Sequence, residues 1–347
     1  MLPPEIQRIV LLIGLAAVGY LLILAWTEDM EAAKAPIVYS DSPVLSQQAL
    51  AAQSDRPVVD EFAPVDSDIA PMPHAAVRQP AAGKGRLVKV ETPVLEVWID
   101  LLGGDIARVQ LPTYPISLEQ PDTPFLLMDR SASRTYIAQS ALIGSDGIDK
   151  TGARPLYEAA SNNLTLTEGG ELVLTTTLDD ARVSKVFAFE PDSHLINIRY
   201  EVVNLATRSK TMRLLTQIKR DRLPPPTDET VPLAPSPYLG GALTTPDNNY
   251  KKVDFDDLDE GNFQASTIGG WMAFLQHYFL TAWVAPSDQS TNYHARKTSD
   301  GYYLFGFTGQ NQSIQPGAMG IWRADFYAGP KDQVVLETIA PYLNLTV

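Results

Sequence analysis

The chain has 347 residues, of which 27 are basic and 41 acidic, so its formal net charge at pH 7 is −14. A surface this negative repels phosphate groups, which excludes nucleic acids as partners. The sequence contains no cysteine, which excludes disulfide bonds, cysteine-ligated metals, thiol nucleophiles and lipidated cysteines. The length fits one large all-β domain as well as two average domains.

An uncharged apolar segment lies near the N-terminus. Residues 9–26 read IVLLIGLAAVGYLLILAW, and as a helix this segment reaches about 27 Å, close to the thickness of a bilayer's hydrocarbon core. Arg8 precedes it and acidic residues follow it, which predicts a transmembrane helix with residues 1–8 in the cytoplasm. The alternative is a signal peptide cleaved near Ala33-Lys34-Ala35, but the apolar part of such peptides is usually only about 7 to 15 residues long.

Residues 27–85 have a different composition. They hold seven prolines, twelve alanines, nine acidic and four basic residues, and only two aromatic residues. Such a segment cannot bury enough apolar surface to offset the entropy lost on ordering. We therefore predict a disordered, acidic tether that lets the following domain move relative to the membrane.

From residue 86 to residue 347 the pattern becomes that of β-strands. Apolar and polar residues alternate with period two in residues 171–178 and 194–204, and Gly, Pro, Asn and Asp clusters separate the runs. Many short strands with hairpin-length turns predict one large antiparallel β-sandwich. The other predicted strands are residues 95–99, 106–111, 182–189, 212–219, 279–284, 302–308 and 319–327.

Two segments depart from the strand pattern. Residues 223–237 carry six prolines and residues 254–260 carry five acidic residues, which together predict a long exposed excursion between strands. In Asp332–Leu343 the apolar residues Val335, Leu336, Ile339 and Leu343 recur at helical spacing. This spacing predicts a short C-terminal helix packed on the sheet.

Catalytic and cofactor motifs are missing from the sequence. It has no G-x-S-x-G, G-x-x-x-x-G-K-[ST] or G-x-G-x-x-G motif, and no histidine pair at helical ligand spacing. His74 falls in the predicted tether, whereas His194, His277 and His294 are far apart in sequence. The sequence therefore predicts no metal, no cofactor and no enzymatic activity.

Aromatic residues and glycines give the strongest local signals. Trp98, Trp271, Trp283 and Trp322 could form a stacking platform, but packing is expected for at least three of them. Gly103-Gly104-Asp105 predicts a hairpin turn. Residues 269–286, GGWMAFLQHYFLTAWVAP, are typical of a buried strand pair entered through a Gly-Gly turn, or else of a partner surface.

In these motifs the chain resembles the N-terminal part of bacterial membrane insertases of the YidC/Oxa/Alb family. The resemblance runs from the apolar segment through Gly103-Gly104-Asp105 and residues 269–286 to residues 329–347. It implies a β-supersandwich similar to galactose-mutarotase-like folds, placed in the periplasm. The matching motif residues, whose roles are structural or partner-facing, are Gly103, Gly104, Asp105, Gly269, Gly270, Trp271, Gln276, Tyr278, Phe279 and Trp283.

The resemblance also implies a function and partners. Such proteins insert, fold and assemble inner-membrane proteins of Gram-negative bacteria, alone or with the Sec translocon. The expected partners are SecD and SecF, SecYEG, nascent membrane-protein clients, and the bilayer through residues 9–26. The family's groove arginine lies in five further transmembrane helices, to which no residue of this sequence corresponds, so the chain is expected to be the anchor and accessory domain.

Two other functions stay open at this point. A sugar-binding or sugar-isomerising domain is suggested by the supersandwich fold, with His194, His277 or His294 as acid or base. This function requires the histidines to converge in an open cleft. The other alternative is an inert spacer.

Overall fold

A computed structural model of the protein describes residues 86–149, 154–225 and 238–347. The predicted membrane anchor and tether lie outside these ranges. In the described ranges no helix is long and apolar enough to cross a bilayer. The described residues form β-strands arranged in two large sheets, with two short α-helices and a 3₁₀ helix near the C-terminus.

The first half of the described chain contributes eleven strands. In chain order they are β1 (Leu87–Glu91), β2 (Glu96–Asp100), β3 (Asp105–Ser117), β4 (Gln120–Arg130), β5 (Thr135–Ile143), β6 (Glu158–Ala159), β7 (Asn163–Thr165), β8 (Gly170–Leu178), β9 (Ala181–Phe189), β10 (Leu195–Asn204) and β11 (Lys210–Arg220).

The second half contributes the remaining strands and the helices. They are β12 (Gly240–Thr245), β13 (Asn248–Val253), α1 (Phe255–Glu260), β14 (Phe263–Ile268), β15 (Trp271–Leu275), β16 (Phe279–Val284), β17 (Ser290–Lys297), β18 (Tyr303–Thr308), β19 (Gln312–Ile314), β20 (Met319–Pro330), α2 (Gln333–Ile339) and the 3₁₀ helix Leu343–Thr346.

The strands form two sheets. Sheet 1 has the order β14-β17-β18-β11-β5-β4-β3-β2-β1-β7, with β19 paired to β11. Sheet 2 has the order β13-β12-β15-β16-β20-β10-β9-β8-β6. Neighbouring strands are antiparallel except β1 and β7. The structure therefore confirms the predicted mainly-β, antiparallel fold.

The core lies between the sheets, because both sheets contribute apolar side chains to one continuous buried cluster. The alternation predicted for β10 is confirmed, since Ile196, Ile198, Tyr200 and Val202 are all buried. Hydrogen bonds from side chains also join the sheets. Ser140 of β5 lies 3.1 Å from the hydroxyl oxygen of Tyr200, and a second bond links β5 to β16.

Strand β11 is more buried than its pattern predicts. Met212, Leu214 and Ile218 lie in the core as expected, but Gln217 and Lys219, predicted on a polar face, are buried as well. The strand lies between β5 and β18 in the middle of sheet 1, where neighbouring side chains cover its second face. Gln217 Nε2 donates to Gln139 Oε1 at 3.1 Å. This buried amide therefore bonds to a neighbouring side chain in place of water.

The prediction of an exposed loop at residues 254–260 is wrong, because this segment forms helix α1. Asp254 caps the helix: its side chain accepts from the Asp257 amide, and the Asp257 side chain accepts from the Asp254 amide. Phe255 and Leu258 are buried. The acidic residues therefore occupy a helix start and its solvent face. Residues 226–237 of the proline-rich excursion lie outside the described ranges.

The predicted C-terminal helix is confirmed, but it is shorter than expected. Helix α2 begins after Asp332, whose carboxylate accepts from the Val334 and Val335 amides. It ends at Ile339, before Pro341, and the 3₁₀ helix follows. Leu336 and Leu343 are buried as expected, whereas Val335, expected on the apolar face, is exposed.

Candidate functional site

Strands β15 and β16 form the antiparallel pair predicted for residues 269–286. Every residue of both strands is buried. Phe274 and Trp283 belong to the core between the sheets, whereas Trp271 and Leu280 belong to a second cluster on the outer face of sheet 2. Because both faces of this pair are covered, the sequence is apolar without alternation.

The outer face of this pair is covered by residues 333–347, hereafter the C-terminal segment. Leu336 of α2 and Leu343 of the 3₁₀ helix are fully buried against the cluster that contains Trp271. The indole Nε1 of Trp271 donates to the carbonyl oxygen of Pro341 at 2.9 Å. The C-terminal segment is thus held to the strand pair by apolar contact and by a hydrogen bond.

Two glycines lead into β15. Gly269 and Gly270 both have positive φ, 63° and 90°, a region that favours glycine. A Cβ at Gly269 would lie 2.9 Å from Ser287 Cα. Tyr293 of β17 donates to the Gly269 carbonyl at 3.0 Å. The predicted Gly-Gly turn is confirmed, and a hydrogen bond from sheet 1 holds it in place.

The turn between β15 and β16 carries the exposed member of the predicted motif residues. Tyr278 is 68% exposed, and its ring stacks on that of His277 at 4.0 Å. Gln276, two residues earlier, is only 2% exposed. Phe279 turns inward and packs on Phe125 at 4.3 Å between ring centroids. The turn therefore exposes the aromatic side chain of Tyr278 between two buried residues, Gln276 and Phe279.

A second group of predicted residues lies in the turn between β2 and β3. Gly103 and Gly104 have φ of 79° and 65°, and the register pairs Asp100 with Asp105. The predicted hairpin is therefore confirmed. A Cβ at Gly103 would lie 2.3 Å from Arg154 Cζ, so this glycine also makes room for a buried guanidinium.

Arg154 is the centre of a buried ionic cluster. Its Nη1 donates to Asp105 Oδ2 at 2.7 Å, its Nε donates to Asp149 Oδ1 at 2.8 Å, and its Nη2 donates to the carbonyls of Gly103 and Ser140. Both ion pairs are almost completely removed from solvent. The Lys185 ammonium donates to the Gly103 carbonyl at 3.0 Å. Two carboxylates thus face two cations.

Burial dominates the electrostatics of this cluster. It raises the pKa of Asp149, although the positive charge of Arg154 opposes the rise. Burial also lowers the pKa of Lys185 to about 7, against the attraction of Asp105. Arg154 lies in the segment before β6 and donates to Asp105 of β3 and to the Ser140 carbonyl of β5. The cluster therefore holds these three parts of the chain together.

Known proteins resemble this chain over almost its whole length. The family model described as the YidC periplasmic domain matches residues 87–347. The membrane protein insertase YidC of Stutzerimonas stutzeri strain A1501 is 38% identical over 352 residues, covering 99% of this chain and 62% of that protein. That of Cellvibrio japonicus strain Ueda107 is 39% identical, covering 98% of this chain and 61% of that protein.

The chain belongs to the YidC periplasmic domain family. It spans 62% and 61% of the length of these two relatives. A galactose mutarotase related enzyme from Lactobacillus acidophilus is similar at a TM-score of 0.45 and 10% identity, covering 70% of this chain and 97% of that one. A galactose mutarotase-like protein from Lactobacillus casei has a TM-score of 0.48 and 9% identity, covering 70% of this chain and 99% of that one.

The histidines do not support a sugar-isomerising site in this member of the family. His294 is buried in β17, His194 is half-buried before β10, and His277 is exposed in the β15–β16 turn. Burial lowers the pKa of His194 and of His294 to about 4. No carboxylate pairs with any of the three among the described residues, and in those ranges no group of acidic residues and histidines is arranged to hold a metal.

The tryptophans behave as packing residues, as expected for at least three of them. Trp271, Trp283 and Trp322 are buried. Trp98 is half-buried and lies between the cations of Lys89 and Arg108, at 5.0 and 4.9 Å from the ring centroid. The tryptophans therefore do not form a common exposed platform.

Sequence patterns missed Asp149, Arg154 and Lys185, the other charged members of the cluster that contains Asp105. These residues come from a loop and from β9, and neither shows a spacing that relates it to Gly103-Gly104-Asp105. No sequence signal marks this cluster, because buried ion pairs form between positions remote in the chain. The structure assigns Gly103, Gly104 and Asp105 to it.

Proposed function

We propose that the chain is the membrane anchor and periplasmic accessory domain of a bacterial inner-membrane protein insertase. The observation that carries this proposal is the match to proteins named membrane protein insertase over 99% and 98% of this chain. In the proposed arrangement residues 1–8 are cytoplasmic, residues 9–26 span the membrane and residues 27–347 are periplasmic.

The whole insertase acts without nucleotide or cofactor. Transmembrane helices in the remaining length of the full protein form a hydrophilic groove open to the cytoplasm and to lipid. Such a groove lowers the cost of moving the polar segments of a client into the bilayer, where unsatisfied polar groups are expensive. The hydrophobic helix of the client then partitions into lipid.

The β-supersandwich serves as a periplasmic platform for SecD and SecF, for SecYEG, or for emerging client segments. Its C-terminal segment is fixed on β15 and β16, so the platform keeps a defined orientation relative to the residues near Val347. The exposed Tyr278, beside His277, is the proposed contact point. An aromatic side chain presented from a rigid turn contributes contact area at low entropic cost.

Co-purification from inner membranes tests the platform role. The full chain carries an affinity tag, and SecF recovered after mild crosslinking is measured. We expect Tyr278→Asp to lower the recovery of SecF, whereas Leu118→Asp does not, although Leu118 is 92% exposed in the β3–β4 turn. Equal recovery for both variants, or no SecF with the unchanged chain, would contradict the role.

Protease accessibility tests the proposed topology. In spheroplasts carrying the full chain with an N-terminal tag, external protease should remove residues 27–347 and leave the tag with residues 1–26 protected. A tag that is digested from outside, or a domain that is protected, would contradict the arrangement.

A further inference from the structure

The outer face of sheet 1 is buried, although neither described α-helix covers it. On β11, β17 and β18 the side chains that alternate with core residues point away from sheet 2. Helix α1 buries Phe255 and Leu258 in the core between the sheets, and α2 packs on sheet 2. Six of the outward side chains are nevertheless 8% exposed or less: Leu215, Gln217, Lys219, His294, Arg296 and Leu304. They therefore need a cover that the two helices do not supply.

The buried cations show how complete this cover is. Arg296 pairs with Leu304 across β17 and β18, and Leu304 pairs with Lys219 across β18 and β11. The Lys219 ammonium lies 4.7 Å from the ring centroid of Tyr302. Long cationic side chains on a sheet face that meets water extend their charged ends into it. Because Arg296 is only 8% and Lys219 only 5% exposed, a second layer must lie over this row.

An apolar group lies beside these cations on the same face. Leu215 stands opposite Ala141 of β5 in the register, and together with Ile143 they form a buried cluster that is separate from the core between the sheets. Their exposures are 4%, 0% and 3%. Among the described residues, no further apolar side chain belongs to this cluster. A cover over this part of the face must therefore supply apolar contacts of its own.

The charge of this face is positive. The four strands β5, β11, β17 and β18 contain no acidic residue, whereas Arg213, Lys219 and Arg296 all lie on their outward side. The whole chain, by contrast, has a net charge of −14. A segment that combines acidic with apolar side chains therefore complements this face.

Residues 58–69 of the same chain have this composition. They read VVDEFAPVDSDI, with four acidic residues, no basic residue and the aromatic residue Phe62. The sixteen residues between Ile69 and Arg86 reach roughly 50 Å when extended. Strand β1, which begins at Leu87, is five strand positions from β11 in sheet 1, or about 24 Å. The connection is therefore long enough to bring this segment to the outer face.

We propose that residues 58–69 bind to the outer face of sheet 1. Their acidic side chains lie near Lys219 and Arg296, and Phe62 packs against Leu215 and Leu304, which removes apolar surface from water. This docking replaces the predicted disorder over these residues and leaves residues 27–57 as the tether. A shorter tether limits how far the domain moves from its membrane anchor. The docking itself does not depend on the proposed insertase role.

Thiol alkylation of the full chain in detergent tests the docking, because the chain has no cysteine of its own. Thr308→Cys places a thiol on the outer face of sheet 1, where Thr308 is 8% exposed. Thr175→Cys places one on the exposed outer face of sheet 2. We expect maleimide to react at least about tenfold more slowly with Thr308→Cys than with Thr175→Cys. If Thr308→Cys does not fold, Ala141→Cys is the second probe of the face.

Two matched sets of changes show whether residues 58–69 are the cover. The segment variant combines Asp60→Asn, Glu61→Gln, Phe62→Ser, Asp66→Asn and Asp68→Asn, and it should raise the alkylation rate of Thr308→Cys about tenfold or more.

The control variant also changes four acidic residues and one aromatic residue of the region 27–85, and it should leave the rate unchanged. It combines Glu28→Gln, Asp29→Asn, Glu31→Gln, Tyr39→Ser and Asp41→Asn. Near-ultraviolet circular dichroism checks that both variants remain folded. Equal rates in the two variants, or equal rates for Thr308→Cys and Thr175→Cys in the unchanged segment, would overturn the proposal. Protection that depends on protein concentration would also overturn it, because a second copy would then be the cover.

Discussion

The indole of Trp271 donates a hydrogen bond to the carbonyl oxygen of Pro341 at 2.9 Å, across seventy residues of chain. This bond connects the start of β15 to the C-terminal segment on the outer face of sheet 2. The segment therefore forms part of the fold. The order of this end of the chain depends on the strand pair beneath it.

Replacing Trp271 by phenylalanine tests this connection. Trp271→Phe removes the donor and leaves the Pro341 carbonyl without it, so we expect a loss of about 1 to 3 kcal/mol in the free energy of unfolding. Amide exchange in residues 333–347 should accelerate. Trp322→Phe is the control, because Trp322 is also buried but its Nε1 has no hydrogen-bond partner among the described residues. Equal exchange of the C-terminal segment in both variants would refute the connection.

The buried ionic cluster gives a second prediction. Arg154→Met leaves Asp105 and Asp149 buried with Lys185 as the remaining cation of the cluster among the described residues, and removing one partner of such a cluster costs about 3 to 5 kcal/mol. Urea unfolding followed by tryptophan fluorescence measures the loss. Arg199→Met, which breaks partly exposed pairs with Glu171 and Glu201, should cost about 1 kcal/mol or less. Similar losses in the free energy of unfolding for the two variants would show that the cluster does not hold β3, β5 and the segment before β6 together.

Gly103 should be sensitive for the same reason. Gly103→Ala places a Cβ 2.3 Å from Arg154 Cζ at a positive φ, so we expect a loss of about 3 kcal/mol or more as Arg154 is displaced. Gly301→Ala is the control, because Gly301 has φ of +86° and no described residue has an atom within 4 Å of the added Cβ. Its cost should be the backbone strain alone, about 1 to 2 kcal/mol. Thermal unfolding of both variants separates the cost of displacing Arg154 from the cost of backbone strain.

The fold was predictable where one physical requirement governs a whole segment. The β15–β16 pair was predictable because a run buried on both faces must be apolar throughout. Helix α1 was not, since the five acidic residues of positions 254–260 concealed the Asp254–Asp257 capping box and the apolar pair Phe255 and Leu258. The exposure of Tyr278 and the burial of Gln276 depend on the turn between the strands, and composition does not encode that geometry.

The candidate site was predictable only in part. Gly103-Gly104-Asp105 was recognised as a turn, but the reason for two glycines is the space that Arg154 and Lys185 need. The Arg220 guanidinium lies over the ring of Phe274, 4.2 Å from its centroid, because β11 and β15 end at the same end of the sandwich. Such contacts between sheets follow from topology, which no local pattern specifies.

Histidine burial predicts a decrease in stability at acidic pH. The pKa of His294 is lowered to about 4 by burial and by Arg296, whereas an unfolded histidine titrates near about 6.5. Between these values the unfolded state binds a proton that the folded state does not, so stability falls as pH decreases from about 6.5 to 4. His294→Gln should reduce this slope by up to about 1.4 kcal/mol per pH unit. His277→Gln, in the exposed turn, is the control, and an unchanged slope in His294→Gln would contradict the assignment.

The most direct test of the account is client insertion in cells depleted of their own insertase. The natural gene that encodes this chain is supplied, and protease protection of a newly synthesised inner-membrane protein is measured. We predict that the gene product restores insertion and that the 347-residue chain alone does not, because the proposed role of this chain is that of an accessory part. Failure of the natural gene to restore insertion, or full restoration by the 347 residues alone, would contradict the account.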